Sequence, residues 1–265
     1  MTVTVKSINQ NITGKEIETQ KKEVNKNKQI KKTHERSLAF SYFAHIFSYP
    51  ELAVLQLFTS SPPDINSLKE DYTKLLLCKN EGQMVLSPLY EASYTKAGRL
   101  STPHELADIA GFYKAFGLQI KSGEDRPDHL AMELEFMAFL TLKEERGIKE
   151  NNHEGTRICR RAERLFLKDH LGCWTEAFYK RLVKIFQDDN FYCRQAEALE
   201  KLVRSEMKRL SVRISPDVLR EAEADLVLEE HPNEGCPTVP LGLDIRTLQS
   251  TFSGRNTKTF DAKEE

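Results

Sequence analysis

From about residue 33 onward, apolar positions recur at intervals of three and four, the spacing that stacks side chains on one face of an α-helix. No strand-like alternation long enough to build a sheet interrupts it, and no repeat at solenoid spacing is present. The pattern predicts an all-α fold. The first helix is expected from about Thr33 to Ser48, with Ala39, Tyr42, Phe43, Ile46 and Phe47 on one stripe and Pro50 as its stop. A short helix over Glu51 to Phe58 and, after the "SPPD" break, a third over Ile65 to Lys79 follow, the latter turning Leu68, Tyr72, Leu75 and Leu76 inward. "SPLYEASYTKAG" reads as a turn or two of helix between loops. "STPHELADIAGFYKAFG" carries complete punctuation: Thr102 as N-cap, Pro103 at the first helical position, Glu105 closing a capping box and Gly117 as the stop. Its buried stripe is Leu106, Ile109, Ala110, Tyr113 and Phe116.

The next helix is expected from Asp128 to Arg146, followed by the polar loop "GIKENNHEG" over 147–155 as a hinge between two lobes. Helices at about Thr156 to Lys168, Thr175 to Phe186 and Phe191 to Leu210 come next, with Trp174, Phe178, Leu182, Ile185 and Phe186 facing a core. Ser215 and Pro216 open a last helix to about Glu229. The chain therefore divides into a basic tail over 1–32, a helical domain over 33–230 and an irregular segment over 231–265. The tail reading rests on composition: residues 1–36 hold nine Lys or Arg against four Glu and no Phe, Trp or Tyr. Such a segment buries too little apolar surface to offset its ordering entropy, so it is expected to be mobile.

Charge changes the picture little, since 39 basic residues balance 40 acidic ones and no general attraction to nucleic acid follows. No secretory h-region and no membrane-spanning apolar run are present, which predicts a cytoplasmic protein with no membrane insertion. Five cysteines, Cys78, Cys159, Cys173, Cys193 and Cys236, form no C-x-x-C pair and read as reduced thiols. Glycine-rich nucleotide loops, G-x-S-x-G and H-E-x-x-H are absent, so hydride transfer, nucleotide hydrolysis and serine or zinc hydrolysis lack support. No cofactor is expected.

The chemistry concentrates in "GEDRPDHLAMELEFMAFL", residues 123–140. Glu124, Asp125 and Asp128 crowd beside His129, and Glu133 follows one turn along an apolar surface. Three readings stand. Asp128 caps the helix. His129 and Glu133, at i and i+4, begin a metal site that His170 and Cys173 could join. Or the carboxylates take a guanidinium while the apolar surface takes the rest of a peptide, with Tyr42 and Tyr90 among the aromatics of that groove. A second Asp-His pair, Asp169 and His170 in "FLKDHLGCWTEAF", reads as a helix C-terminus with Gly172 as its stop.

Taken in order, the aromatic first helix ending in "FSYP", the stretch "SPLYEASYTKAGRLSTPHELADIAGFYKAFGL", then "DRPDHLAMELEFMAFL" and "FLKDHLGCWTEAF" resemble the TorD/DmsD/NarJ family of molybdoenzyme maturation chaperones over about Leu38 to Phe186. The resemblance implies an all-helical chaperone without catalytic activity, a monomer or a domain-swapped homodimer. Its implied partner is the apo catalytic subunit of a type II dimethyl sulfoxide reductase-family enzyme, held by its N-terminal leader until the molybdopterin cofactor is inserted. It also implies a leader-binding role for Asp128 and His129, with Glu133 and Phe136 following. With the residue reading, the expected site is Asp125, Asp128, His129, Glu133, Phe136, Tyr42 and Tyr90. A permanent structural subunit of such an enzyme is the alternative, and a metal-dependent or nucleotide-hydrolysing enzyme a weaker one.

Overall fold

The computed structural model describes residues 14–58, 64–76, 79–80, 83–84, 87–94, 98–120, 126–186 and 189–223. Among them nine α-helices follow one another: α1 Gly14–Ile46, α2 Leu52–Phe58, α3 Ile65–Leu76, α4 Gly98–Ala115, α5 Leu130–Lys149, α6 His153–Asp169, α7 Leu171–Phe186, α8 Phe191–Arg209 and α9 Pro216–Glu223. The all-α expectation holds. The one strand pair among the described residues joins two residues to two, Lys79–Asn80 to Gln83–Met84.

One continuous apolar core runs through the helices. Phe40 and Ala44 of α1, Phe47 just beyond it, Leu134 and Met137 of α5, Phe166 of α6, Trp174 and Phe178 of α7 and Tyr192, Ala196 and Leu199 of α8 are all fully buried. Of the expected stripes, Phe43, Ile46 and Phe47 and, in α7, Trp174, Phe178 and Leu182 are buried, because three-and-four spacing leaves one face of a helix to be covered by its neighbour, while Ala39, Tyr42, Ile185 and Phe186 are half-buried. Helix α4 ends as its sequence predicts. Gly117 takes φ 77°, its N–H donates to Lys114 O at 2.9 Å, and Leu118 N–H donates to Tyr113 O at 3.0 Å, a Schellman closure that a left-handed glycine permits. The start of α4 differs: the helix begins at Gly98, so Thr102 and Pro103 lie inside it rather than at its cap.

Residues 14–32, expected as part of a mobile tail, are helical and extend α1. The tail expectation counted only apolar burial within the segment, whereas this stretch continues a helix whose far end lies in the core and adds polar contacts of its own. It runs antiparallel to α5: Lys26 Nζ donates to Lys149 O at 3.1 Å and Asn151 Oδ1 at 2.8 Å, His34 Nδ1 meets Glu145 Oε2 at 3.0 Å, and Ser37 Oγ donates to Ala138 O at 3.1 Å. Deeper in, Arg36 joins three helices at once. Its guanidinium reaches Glu144 of α5 at 2.7 Å, Glu206 of α8 at 2.8 Å and Glu163 of α6. Arg160 and Arg209 complete the network on Glu144 and on Glu163 with Glu206, so three cations face three buried carboxylates. Residues 1–13 and the expected segment 231–265 lie outside the described residues.

Where a hinge over 147–155 is expected, α5 continues to Lys149 and α6 starts at His153. Asn151 takes the left-handed φ of 55° and Asn152 caps α6 by accepting from Gly155 N–H at 2.8 Å. Gly147 lies within α5, and a Cβ there would stand 2.6 Å from Thr156 Oγ1. Polar composition suggested a loop, but close helix approach and a cap turn it into a tight helical hairpin. The α6–α7 junction is tighter still. His170 alone separates the helices, and Gly172, expected as a stop, sits in the first turn of α7, where a Cβ would fall 2.2 Å from Leu167 O.

Candidate functional site

The segment 87–94 crosses the start of α5 and is tied to it by backbone. Glu91 N–H donates to Asp128 O at 3.0 Å and Leu130 N–H to Leu89 O at 2.8 Å, making a one-residue antiparallel bridge between Tyr90 and His129. Side chains reinforce the joint. The Asp128 carboxylate accepts from Ala92 N–H at 3.3 Å and takes both Nε and Nη2 of Arg126, at 3.0 and 2.8 Å. Asp128 is therefore not the cap of α5. That role belongs to His129, whose Nδ1 accepts from Ala131 N–H at 3.2 Å, while Asp128 is drawn back to the 3-10 turn Glu91–Ser93.

Burial decides the charge states here. Desolvation, with the nearby Arg126 cation, lowers His129 to about 3, so its imidazole is neutral and free to accept at Nδ1. Burial pushes the Asp128 carboxyl up, and Arg126 and the Ala92 N–H pull it part of the way back. The Tyr90 ring meets His129 edge-on at 5.1 Å, and the Arg126 guanidinium lies over the other partner of this contact, 5.0 Å from the Tyr90 centroid.

One turn deeper, Glu133 is fully buried and accepts from Trp174 Nε1 at 3.4 Å. Ionised, Glu133 Oε1 and Glu91 Oε2 would be buried acceptors without a donor. Burial first, and the neighbouring Glu91 charge second, raise Glu133 well above the usual carboxylate range. A proton held on Glu133 supplies the donor that the pair lacks. Glu91 in turn accepts from His170 Nδ1 at 3.3 Å. Burial opposes a charged imidazole, but Glu91 and the exposed Asp108, whose Oδ2 lies 3.2 Å from Nε2, outweigh it and raise His170. Tyr113 closes the cluster by donating to Pro127 O at 2.8 Å, and Phe136 lies below it among Phe112, Tyr113, Phe116 and Phe166.

Of the residues expected at the site, the fold brings together Tyr90, Asp128, His129, Glu133 and Phe136. All but Tyr90 are buried, so they shape the surface from beneath. Tyr42 stands elsewhere: it donates to Gln195 at 2.9 Å and its ring meets Phe43 and Phe58, none of them in this cluster. Asp125 lies outside the described residues. Sequence reasoning missed Glu91, Arg126, Asp108, Tyr113 and Trp174 as parts of the cluster. Glu91, the one charge within "SPLYEASY", was the available signal; the others declare themselves only through packing.

The metal reading finds no support in this geometry. His129 and Glu133 are turned to Ala131 and to Trp174 with Glu91, and among the described residues no three His, Cys, Asp or Glu side chains are grouped to hold an ion. Cys159 and Cys193 are buried, and Cys173, which donates to Lys168 O at 3.0 Å, is pushed up to about 12 chiefly by burial; Cys78 and Cys236 lie outside the described residues. No described helix is long and apolar enough to cross a membrane.

An all-α domain whose central helix is capped by histidine and locked to a crossing turn is the class that fold and site define. The family model described as the nitrate reductase delta subunit matches residues 49–180, which include the turn, α5 and α6. The chain is 31% identical to the selenate reductase assembly chaperone protein of Thauera selenatis over 181 residues, 66% of this chain and 90% of that one. It is 28% identical to the chlorate reductase assembly chaperone protein of Ideonella dechloratans over 182 residues, with the same coverage of 66% and 90%. The perchlorate reductase assembly chaperone protein of Dechloromonas aromatica matches at 34% over 108 residues, 40% of this chain and 46% of that one. The chain belongs to the nitrate reductase delta subunit family, the TorD/DmsD/NarJ family its motifs resemble.

Proposed function

We propose that this protein is a cytoplasmic maturation chaperone for a molybdopterin-containing oxidoreductase. It holds the apo catalytic subunit and its N-terminal leader until the cofactor is in place. The observation that carries the reading is the likeness, over 66% of the chain, to proteins named as assembly chaperones of selenate and chlorate reductases. The geometry supports a binding role: Asp128 and His129 direct their hydrogen bonds to the backbone of the crossing turn and of α5, beneath Tyr90 and Arg126, which reach solvent.

The leader would meet the outer layer of the cluster, where Tyr90, Arg126 and Asp108 reach solvent above Asp128, His129, Glu133 and Phe136. A tagged full-length copy should capture the catalytic subunit from cells that cannot make the cofactor, and release it when cofactor synthesis is restored. Capture of cofactor-loaded enzyme at fixed stoichiometry would replace this reading with that of a permanent subunit. For the site, Asp128→Asn should weaken a synthetic leader in calorimetry by about tenfold, since it removes the charged carboxylate that would take a leader guanidinium and loosens the turn held at Ala92 N–H. An unchanged affinity would place the leader elsewhere.

A further inference from the structure

We propose that Arg126 is a built-in stand-in for an arginine of the bound peptide, occupying the Asp128–Tyr90 receptor until a ligand guanidinium replaces it. The proposal rests on the reading of this face as the leader site and names how that site is regulated. The observation is a complete guanidinium receptor filled from within. Asp128 offers both carboxylate oxygens to one planar fork, at 3.0 and 2.8 Å, and the same guanidinium lies 5.0 Å from the centre of the Tyr90 ring. Carboxylate fork plus aromatic face is the combination that recognises arginine over lysine, because an ammonium can neither bridge both oxygens nor stack as a plane.

The solvent layout fits an exchangeable occupant. The Asp128 side chain is 2% exposed, whereas the Arg126 side chain that covers it is 39% exposed. Among the described residues, the cation paired with the carboxylate is thus a side chain in contact with water. The backbone around it is fixed independently: Pro127 O accepts from Tyr113 Oη at 2.8 Å, His129 N–H donates to Arg126 O at 3.1 Å, and Asp128 keeps its Ala92 N–H contact at 3.3 Å. Arg126 can therefore leave by side-chain torsions alone. The exchange keeps the charge balance of the pocket, one guanidinium out and one in, so the buried carboxylate is never left unpaired, which would be the costly state. Without an arginine-bearing segment the receptor stays closed on itself, and weakly basic or lysine-bearing chains gain nothing by approaching.

The test is calorimetry on the full chain with a synthetic peptide of two adjacent arginines followed by an apolar stretch, and with its lysine counterpart. Arg126→Gln should bind the arginine peptide about threefold to tenfold more tightly than the parent chain, with no gain for the lysine peptide. Arg126→Lys, which keeps the charge but loses the fork, should show a smaller gain and serves as the deciding variant if the glutamine form does not fold. Equal or weaker arginine-peptide binding in the folded variants, with the parent chain still binding, overturns the stand-in and leaves the leader site intact. If the parent chain binds neither peptide, the leader reading fails, and the thermal midpoint of the variant decides the stand-in. A rise with N-acetyl-arginine amide and none with its lysine analogue upholds it; no rise overturns it.

Discussion

Glu133 lies fully buried beside a second glutamate, and its proton is what makes that position tolerable. A carboxyl raised in the folded state stabilises fully below its unfolded value of about 4.5, and that contribution is lost as pH rises through the folded value. Glu133→Gln keeps the shape and a neutral donor, so below about pH 4.5 its stability should stay within about 1 kcal/mol of the parent. Toward alkaline pH, thermal midpoints of the glutamine variant should overtake the parent's. A parent that loses nothing at alkaline pH relative to Glu133→Gln would show that the carboxyl is already ionised. Gly172 supplies a second test at this scale. With a Cβ placed 2.2 Å from Leu167 O, Gly172→Ala must push α7 from the end of α6, and urea unfolding should register a loss of about 1–3 kcal/mol.

At the scale of helices, α1 shows the difference between a polar segment and an unstructured one. Its stretch from residue 14 to 32 has little to bury, yet it is helical, continuous with the buried part of α1 and latched to the end of α5. Arg36 anchors it from the inside. Removing one partner of a buried network leaves the others uncompensated, so Arg36→Ala should cost about 3–5 kcal/mol in chemical denaturation. Lys26→Ala, which removes an exposed contact, should cost less than about 1 kcal/mol. Equal costs would mean that the network of Glu144, Glu163 and Glu206 is no more than a surface array. Helix existence and the apolar stripes were legible in the sequence because three-and-four spacing is a local property. Helix ends were less so: Thr102, Asp128 and Gly172 have the chemistry of caps and stops, but packing assigned the cap of α5 to His129 and drew Gly172 into a helix.

For the molecule as a whole, buried groups shifted in opposite directions set opposite pH limits. Glu144 and Glu145 lie below their usual range: burial opposes this, but hydrogen bonds and charge from Arg36 and Arg160, and from Lys149 and His34, prevail. Their contribution is present above about pH 4.5 and fades as pH falls through the folded values. Glu133 and His170 are raised, as is Glu163, which burial pushes up to about 7 against the pull of Arg36; their contributions fade as pH rises. Thermal midpoints should fall on both sides, with Arg36→Ala flattening the acid limb and Glu133→Gln the alkaline one. The sequence by itself determined the all-α class, the core stripes, the family and the Asp128–His129 neighbourhood of the candidate site, because each of these is written in local spacing or in an ordered set of motifs. Only the tertiary structure decided which charges are buried, which residue caps α5, that Glu91, Glu133 and His170 form one cluster, that Tyr42 stands outside it and that Arg126 fills the receptor on Asp128. Those depend on segments far apart in the chain meeting in space, where desolvation and the identity of the nearest partner, rather than residue type, set the charge and the role of each group.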